Sequence, residues 1–452
     1  MVALNAPRHP ALAPGAGAAL AIGAMLVGAG IAGATTRRVP ADFSTLGAAL
    51  LASAVGDTVL ASAGTYGERV HLPPGVTLRA ADGPGSAVID AQGLGAAVEA
   101  RALSPGARLE GFRLTGGTGV DDGGSTLGGD LCVVGGALAV RDCTFDGGSA
   151  IFGGGSGASA ASISFTQCTW SGTTAEYGGG HFQAGGTLQL TGATFAGTSA
   201  GSGGGLYATG GAQVTVLGGV ITNAGASGNG AGVHVDAAVA TLSNLRVDRA
   251  SAGGVGGGLD ISAGGQVIAS FCVFVECVSA LGGGAFHVSC NAAAPSPGKS
   301  GAWPTTATAD CALLSMTHCD VLLARGAAPA AGAVTDAGVV RISSSIVAGN
   351  ESGLACLDPR ATLDVGCSDL YQNGGADLSG GCLPTAAATN LSVDPRLCDL
   401  PGRDFGLCAN SALLAPGCGD DFWGAGALAC AACGPTPARP LTWGRLKARY
   451  RN

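Results

Sequence analysis

One apolar position returns about every 26 residues between residues 137 and 372, and this repeat limits the possible folds more than any other feature of the chain. The intervals are 24–27 residues, apart from one of 47 that contains an insertion near residues 291–310. The recurring position is aromatic or branched and apolar, and its copies are Phe145, Trp170, Phe195, Ile221, Val247, Phe274, Val321, Val347 and Tyr371. A period of this length indicates stacked structural units, each of which contacts its neighbours.

Within a copy, the pattern predicts short strands that are separated by corners. Apolar residues recur seven and five positions before the repeated position, as Leu188 and Leu190 do before Phe195. Steps of two place side chains on one face of a strand. One step of three interrupts this alternation, and small or polar residues such as Thr191 and Gly192 occupy it. Such residues suit a bend, so we expect a corner there.

A glycine cluster and a further apolar alternation follow in most copies, as in the three glycines at 203–205 and then Leu206 and Ala208. Glycine inside an α-helix costs about 1 kcal/mol relative to alanine, so these clusters argue against helical repeats. Three strands and three corners per copy describe one rung of a parallel β-helix. The predicted fold is all-β, a single-stranded parallel β-helix over residues 57–384 with about 25–27 residues per rung.

The composition excludes two other classes of chain. The 82 glycines among 452 residues show no three-residue period, so the chain is not collagen-like. Hydrophobic residues make up 47% of the chain and charged residues 12%, whereas disorder accompanies low hydrophobicity and high charge. A solenoid buries its core rung by rung, so one elongated domain can contain this length.

Residues 1–34 are interpreted as an export signal. An apolar, alanine-rich run from Ala18 to Ile31 follows Arg8, and Ala32-Gly33-Ala34 fits the pattern of a signal-peptidase site. An uncleaved membrane anchor is the alternative, but the run is short and weakly hydrophobic for a span. We therefore expect an exported protein of the extracellular space or cell envelope, with no transmembrane span after cleavage.

Residues 35–56 are expected to cap the N-terminal end, because an open β-helix end exposes strand edges and core. A helix is predicted from a cap at Ser44 through Ala54. Residues 39–43, 56–60 and 74–78 read VPADF, GDTVL and PGVTL. With these motifs, residues 38–100 resemble the opening of secreted β-helix proteins of the pectate-lyase-like group. The resemblance implies a right-handed β-helix and a short helix at its N-terminal end. The glycine-rich copies more weakly resemble repeats of chlamydial polymorphic outer-membrane proteins, but they lack that family's Phe-x-x-Asn motif.

Three further segments depart from the repeat. Residues 291–310 contain three prolines and are predicted to leave the rung as a surface loop. Residues 390–397 (NLSVDPRL) and 404–407 (DFGL) resemble the closing rungs of bacterial right-handed β-helix proteins. Residues 385–436 are therefore predicted to be cysteine-rich closing rungs and a cap. Residues 437–452 carry five basic and no acidic residues. This tail is interpreted as a solvated terminus, with docking onto an acidic surface as the alternative.

The cysteines suggest several cross-links. Adjacent rungs lie about 4.8 Å apart, which a disulfide can bridge. Two pairs share an inward column, and each is either a disulfide or a stacked pair of thiols: Cys143 with Cys168, and Cys272 with Cys319. Cys290 and Cys311 bracket the insertion and are candidates to join its two ends. Cys430 and Cys433 form a CxxC, for which structural disulfides are favoured over zinc or redox chemistry.

The strongest candidate for a functional surface is a row on the third strands of consecutive rungs. Tyr207, His234, Asp260 and His287 take the outward position between inward pairs such as Leu206 and Ala208. Stacking would align these four side chains at steps of about 4.8 Å. A metal or a sugar is a candidate ligand. The favoured interpretation is a solvent-facing polar ladder, because a straight row supplies poor tetrahedral geometry for zinc.

Other candidate sites are few. Asp121 and Asp122, with Asp130 nearby, form the densest acidic spot in the first half of the chain. A solvated turn is favoured there over calcium binding, and we expect no other cofactor. The chain has only two lysines, Lys299 and Lys447, and shows no acid/base pair in the sequence.

Two classes of function stay open at this point. The favoured class is an exported, non-catalytic β-helix that binds a polysaccharide or a cell-envelope surface. The alternative is a polysaccharide lyase or glycoside hydrolase, as the pectate-lyase-like resemblance implies. We expect a monomer and no nucleic-acid partner.

Overall fold

The chain winds into a parallel β-solenoid of about 14 turns. The computed structural model describes residues 33–121, 124–290, 311–327, 331–335, 337–382, 385–386, 389–415 and 423–436. Each first strand pairs in parallel with the first strand one turn later, so that Leu188 lies beside Val214 and Val214 beside Ala240. The parallel β-helix predicted from the repeat is confirmed.

Three strand positions recur in each full rung, and in some rungs two of them merge into one strand. The first strands are Thr36–Val39, Thr58–Ala61, Thr77–Ala80, Gln266–Ser270, Leu313–Thr317, Val339–Ser343, Thr362–Gly366 and Thr385–Ala386. The second strands are Gly64–Tyr66, Ala87–Asp90, Phe112–Thr115, Thr144–Asp146, Thr169–Ser171, Val273–Val275, Asp320–Leu322, Ile346–Ala348 and Asp369–Tyr371. The third strands are Val70–His71, His181–Ala184, Leu206–Thr209, Val233–Asp236, Leu259–Ser262, Phe286–Ser289, Gly332–Thr335, Leu354–Cys356 and Leu378–Gly380. A third and a following first strand merge in Val98–Glu110, Leu131–Arg141 and Ser156–Thr166, and a first and second strand merge in Thr187–Ala196, Gln213–Thr222 and Val239–Asp248.

The predicted inward columns form the core of the solenoid. Phe165, Leu190 and Val216 are at most 2% exposed. The ring of Trp170 stacks between those of Phe145 and Phe195, at centroid distances of 5.0 and 4.4 Å. Burying each such side chain contributes about 1.5–3 kcal/mol, so repetition over many rungs supplies the main stabilising term.

One residue with positive φ forms the corner between the first and second strands in successive rungs. Its φ lies between 49° and 70° in Asp142, Gln167, Gly192, Gly218, Asn244, Phe271, His318, Ser344 and Cys367. This left-handed conformation turns the chain within one residue, which explains the single break in the alternation. Phe271 adopts it despite its bulk, and its ring stacks on that of His318 at 5.0 Å.

A second sheet that the repeat did not predict runs beside the solenoid. Nine short strands form it between the second and third strands of successive rungs, and we name it the ridge sheet: Val120–Asp121, Thr126–Leu127, Ser149–Phe152, Thr174–Tyr177, Ser199–Ser202, Gly225–Ala226, Ser251–Ala252, Val278–Ser279 and Arg325–Gly326. The middle rungs therefore contain four strand positions, where three were predicted. The fourth was missed because its small and polar residues show no apolar alternation.

A short helix lies at the N-terminal end, as the resemblance implied. The helix spans Leu46–Leu51, and its cap is Thr45, whose hydroxyl accepts a hydrogen bond from the backbone N–H of Ala48. It is shorter than predicted and begins one residue after the predicted cap, Ser44. Glu68 also accepts the backbone N–H of Leu46 at 2.8 Å, so two side chains satisfy the first turn. No helix among the described residues has the length and apolar character that a membrane span needs.

Residues 389–415 and 423–436, which we name the C-terminal cap, pack against the side of the solenoid. The cap contains a three-stranded sheet of Leu397–Asp399, Asp404–Cys408 and Leu428–Cys430, and a 3-10 helix at Ala412–Leu414. Leu407, Leu413 and Trp423 of the cap are buried with Val275 and Leu322 from the outer face of the second strands. The cap thus covers one flank of several rungs.

Three predicted segments fall outside the described residues. They are the export signal up to residue 32, the insertion at 291–310 and the basic tail at 437–452. The rungs on either side of the insertion remain in register, since Gln266 pairs with Leu313 and Ser270 with Thr317. This register places Cys272 and Cys319 in adjacent rungs, as the sequence required if the insertion leaves the rung.

Candidate functional site

The predicted row of Tyr207, His234, Asp260 and His287, named here the third-strand row, lies in one line across four rungs. All four side chains point away from the solenoid core, because Leu206 and Ala208 on either side of Tyr207 point into it. However, Tyr207, His234 and Asp260 are only 1–4% exposed. The prediction of a solvent-facing ladder is therefore wrong.

The ridge sheet and the glycine clusters cover the row. Phe152 of the ridge sheet packs on Phe182, the row position one rung before Tyr207, with ring centroids 4.8 Å apart. Gly230 and Gly256 have φ of +60° and +64°, and a Cβ on either would lie 2.8 Å from the Cβ of a row residue. The sequence therefore needs glycine here for close approach as well as for the turn.

The polar atoms of the row form two hydrogen-bonded groups, which meet where His234 approaches Asp260. Asp260 lies between the two histidines, with its Oδ1 2.7 Å from His287 Nδ1 and its Oδ2 3.3 Å from His234 Nδ1. His234 Nε2 is 3.3 Å from Ser262 Oγ, and Ser262 donates to Asp236 Oδ1 at 3.1 Å. His287 and Asp260 thus form one hydrogen-bonded pair, and His234, Ser262 and Asp236 form a separate group beside it.

Tyr207 closes one end of this network. Its ring lies flat on that of His234, with centroids 4.7 Å apart and planes 7° apart. Its hydroxyl donates to Asp236 Oδ2 at 3.4 Å. Burial, followed by the nearby charge of Asp236, raises the pKa of Tyr207 well above its ordinary value, so the ring remains a neutral phenol that donates this bond.

The network uses residues that the sequence interpretation missed. Two residues after the four row members come the polar residues Thr209, Asp236, Ser262 and Ser289, and Thr335 takes the same position in the next rung. Side chains two apart share one face of a strand, so this column was readable from the sequence. Thr335 comes within 3.2 Å of His287 Nε2 only because residues 291–310 do not disturb the register.

The row does not gather ligands around one point, as a metal ion requires. Across the described ranges, the one group of three metal-ligating residues with close donor atoms is Cys398, Cys408 and Cys430. All three are in disulfides, Cys398 with Cys430 and Cys408 with Cys433. Cys430 and Cys433 therefore do not pair with each other, and their sulfurs are not available as thiolates for zinc.

The remaining cysteine candidates carry thiols. Cys143, Cys168, Cys272 and Cys319 are buried and free, so both inward pairs are stacked thiols in this structure. Cys311 is exposed and also free, and the suggested Cys290–Cys311 link is not formed. A link between adjacent rungs does join Cys356 and Cys382, whose Cα atoms are 5.6 Å apart.

The acidic spot is split between two environments. Asp121 is exposed and accepts the backbone N–H of Gly124 at 2.8 Å, as a turn residue does. Asp130 is fully buried, and its burial raises the pKa of the carboxyl well above its ordinary value. Asp122 lies outside the described residues. Calcium binding at this spot remains a prediction.

A groove on the outer face of the first strands is a second candidate site, which we name the first-strand groove. Its volume is about 620 Å³. Aligned outward residues of five consecutive rungs line it: Arg108, Ala139, Ser164, Gln189 and Thr215. Five rungs at about 4.8 Å give a length of about 19 Å. One end is walled by Pro105 and Gly106, where Val98–Glu110 bulges against Leu131–Arg141.

A charged depression of about 390 Å³ lies further along the same outward face. Its lining includes Arg79, Glu110, Arg141 and Asp142. Arg79 Nε lies 3.7 Å from Glu110 Oε2, and Arg141 Nε lies 3.3 Å from Asp142 Oδ2. Each arginine thus has a carboxylate beside it, and Arg79 and Arg141 are both exposed.

No family model and no curated sequence matches this chain. Among solved structures, it is similar to PfbA, a surface adhesin of Streptococcus pneumoniae, with 9% identity, a TM-score of 0.40 and coverage of 76% of this chain and 91% of that one. It is also similar to a mannuronic-acid-specific family 6 polysaccharide lyase from human gut microbiota, with 14% identity, a TM-score of 0.32 and 78% coverage of both chains. A third is the A-module of the mannuronan C-5 epimerase AlgE4 of Azotobacter vinelandii, with 12% identity, a TM-score of 0.27 and coverage of 77% and 93%. All three TM-scores lie below 0.5, so the assignment of this chain to the parallel β-helices rests on its own strand pairing.

Proposed function

We propose that the protein is an exported, non-catalytic β-helix that binds a linear polysaccharide along the first-strand groove. The supporting observation is the repetition of uncharged polar side chains along the groove floor. Ser162, Thr187 and Gln213 form one outward column, and Ser164 and Gln189 belong to the neighbouring one. Hydroxyl and amide groups at a constant step match a ligand whose own hydroxyl groups repeat along a chain.

The charge of the groove favours an acidic sugar. Arg108 is exposed at its bulged end and has no ion-pair partner among the described residues. A guanidinium can bind a carboxylate through two parallel hydrogen bonds. We therefore propose a polyuronate as the ligand class, with its sugar hydroxyls on the glutamine, serine and threonine side chains.

Binding rather than bond cleavage is the function that this groove supports. Its lining contains no aspartate, glutamate, histidine, tyrosine or lysine. Cleavage of a glycosidic bond needs acid and base groups within hydrogen-bond reach of the reacting atoms. The disulfides of the last rungs and of the cap agree with an exported protein, because such bonds persist in oxidising compartments.

The charged depression favours a second candidate, a polysaccharide lyase or glycoside hydrolase. Arginine beside carboxylate is the type of set that such an enzyme needs, and Glu110 and Arg141 are on the same outward face as Arg108. In this structure the charges neutralise each other in exposed pairs, so we rank this candidate second.

Calorimetry with a linear polyuronate, and with a neutral glucan of equal length, tests the proposal. We expect the polyuronate to bind more tightly, and a Gln189→Ala/Gln213→Ala variant to lose at least about tenfold in affinity, which corresponds to about 1.4 kcal/mol. Gln266→Ala is the matched control, because it removes an exposed glutamine from the same face outside the groove. Equal loss in the control would refute the assignment to the groove. Release of unsaturated or shortened sugars during the titration would favour the enzyme instead.

A further inference from the structure

Three hydrogen-bonded side chains connect the buried Asp260 of the third-strand row, through His287, to the partly exposed Thr335. His287 Nδ1 lies 2.7 Å from Asp260 Oδ1, and His287 Nε2 lies 3.2 Å from Thr335 Oγ1. Asp260 is 1% exposed, the side chain of His287 is 12% exposed, and Thr335 is half-buried. The carboxylate is thus shielded, and the imidazole lies between it and a threonine that is partly exposed.

The chemistry of the three groups determines which atom of each hydrogen-bonded pair carries the proton. A carboxylate only accepts, so the proton between His287 and Asp260 belongs to Nδ1. The neutral imidazole then presents a lone pair at Nε2, and the Thr335 hydroxyl donates to it. This is the arrangement in which an alcohol is activated as a nucleophile: the base contacts the hydroxyl, and a third group orients the base.

We propose that Thr335, His287 and Asp260 form an acyl-transfer site that hydrolyses carboxylic esters. Thr335 is the nucleophile, His287 is the general base and then the general acid, and Asp260 is the positioning residue. The same roles recur on unrelated folds and are recognised by geometry rather than by sequence order. This site lies on a different face from the first-strand groove. Binding without catalysis is proposed for the groove, whereas ester hydrolysis is a further activity of the third strands that does not depend on polysaccharide binding.

The reaction balances with water as the second substrate. Thr335 Oγ1 forms a bond to the carbonyl carbon of the ester, and its proton passes to His287 Nε2. The bond from that carbon to the alkoxy oxygen breaks, and His287 returns the proton to the departing alcohol. Water then attacks the acyl group and gives a proton to His287. The bond to Thr335 breaks, the carboxylic acid leaves, and Oγ1 regains its proton.

The neighbouring hydroxyl of Ser262 does not have the same hydrogen-bonding arrangement as the hydroxyl of Thr335. Ser262 Oγ lies 3.1 Å from Asp236 Oδ1, so its proton is held by that carboxylate, and His234 Nε2 donates to the serine oxygen. His234 Nδ1, although 3.3 Å from Asp260 Oδ2, has no hydrogen-bond partner. Among the described residues, Thr335 is therefore the residue whose hydroxyl is linked through a histidine to a carboxylate.

Hydrolysis of p-nitrophenyl acetate and labelling by a fluorophosphonate probe test the proposal on the full chain. We expect turnover above the buffer rate and a covalent adduct that peptide mapping assigns to Thr335. Thr335→Val keeps the shape of the side chain and should reduce both to background, while Thr335→Ser should retain them. Thr317→Val is the matched control, because it removes a half-buried, hydrogen-bonded strand hydroxyl remote from the row, and it should leave both unchanged.

Three results would overturn the assignment. These are no turnover by the folded wild-type protein, an adduct that persists in Thr335→Val, or loss of labelling in Ser262→Ala together with an adduct on Ser262. Asp260→Asn tests the positioning role separately. We expect it to lower kcat by at least about 100-fold with KM within about twofold, because the amide no longer selects the Nδ1 proton. An equal effect on KM with kcat retained would indicate a structural role only.

Discussion

Arg403 Nη2 lies 2.7 Å from Glu276 Oε2, although the two residues are 127 positions apart in the chain. The same nitrogen is 3.0 Å from Asp248 Oδ1, whose side chain is 4% exposed. Arg403 belongs to the C-terminal cap, and its two partners belong to the solenoid. This ion pair therefore fastens the cap to the flank of the rungs, beside the apolar contacts of Trp423 and Leu407.

Arg403→Met should loosen the cap. Removing the guanidinium leaves the buried Asp248 with only the exposed Arg249, 3.7 Å from its Oδ2, as a counter-charge. We therefore expect a loss of about 2–3 kcal/mol in the free energy of unfolding of the cap. Earlier cleavage of the cap in limited proteolysis measures this loss. Arg360→Met is the control, since its pair with Asp358 lies at the surface and should contribute less than about 1 kcal/mol. Equal proteolysis of the two variants would contradict the prediction.

Asp320→Asn should stabilise the protein above neutral pH. Asp320 is buried beneath the cap, and desolvation raises its pKa from 3.8 to about 7, against the opposing hydrogen bond from Ala425. Below about pH 3 the carboxyl is protonated in both states. As the pH rises towards 7, the unfolded chain releases this proton first, so stability falls and then levels off.

The size of the gain follows from that difference in pKa. Each pKa unit corresponds to about 1.4 kcal/mol, so the variant should gain at most about 4 kcal/mol at pH 8 and little at pH 4. Unfolding curves at both values measure it. Asp358→Asn is the control, because the adjacent Arg360 lowers the pKa of Asp358 to about 2, and this variant should gain nothing at pH 8. A gain that does not depend on pH would argue against the assignment to Asp320.

The inward thiols should resist alkylation in the folded protein. Burial raises the pKa of Cys168 and of Cys277 to about 12, and that of Cys143 well above its ordinary value. The thiolate is the reacting form, so iodoacetamide at pH 8 should modify these three only after unfolding. Cys311, which is exposed, serves as the internal control and should react at once. Mass spectrometry that finds Cys168 and Cys311 modified at similar rates would refute this prediction.

Gly256→Ala should destabilise the cover of the third-strand row. Gly256 has φ of +64°, and an added Cβ would lie 2.5 Å from the carbonyl oxygen of Leu259 and 2.8 Å from the Cβ of Asp260. We expect a loss of more than about 2 kcal/mol, from both the backbone conformation and the clash. Gly211→Ala is matched for conformation, with φ of +76° and open space around the added Cβ, and should cost about 1 kcal/mol. If thermal unfolding shows that the two variants are destabilised equally, then close approach of the added Cβ does not explain the loss at Gly256.

The sequence by itself determined the rungs. Phe165, Leu190 and Val216 point inward as predicted, because burial of one strand face forces a period of two within the strand and a period of one rung along the chain. The corners were predicted for the same local reason, since one left-handed residue interrupts the alternation once per rung. The alignment of Tyr207, His234, Asp260 and His287 followed from these two periods.

Only the tertiary structure decided what covers those rungs. The ridge sheet lies over the third-strand row and turns a predicted exposed ladder into a buried network. The bulge at Pro105 closes one end of the first-strand groove. The cap docks through Arg403, and its fold selects Cys398 and Cys408 as the disulfide partners of Cys430 and Cys433. The ridge sheet does recur with the repeat, but its small and polar residues carry no apolar alternation that would reveal it. The bulge, the cap contacts and the cross-links of the cap join segments that occur once and meet only when the chain is folded, so periodicity does not record them.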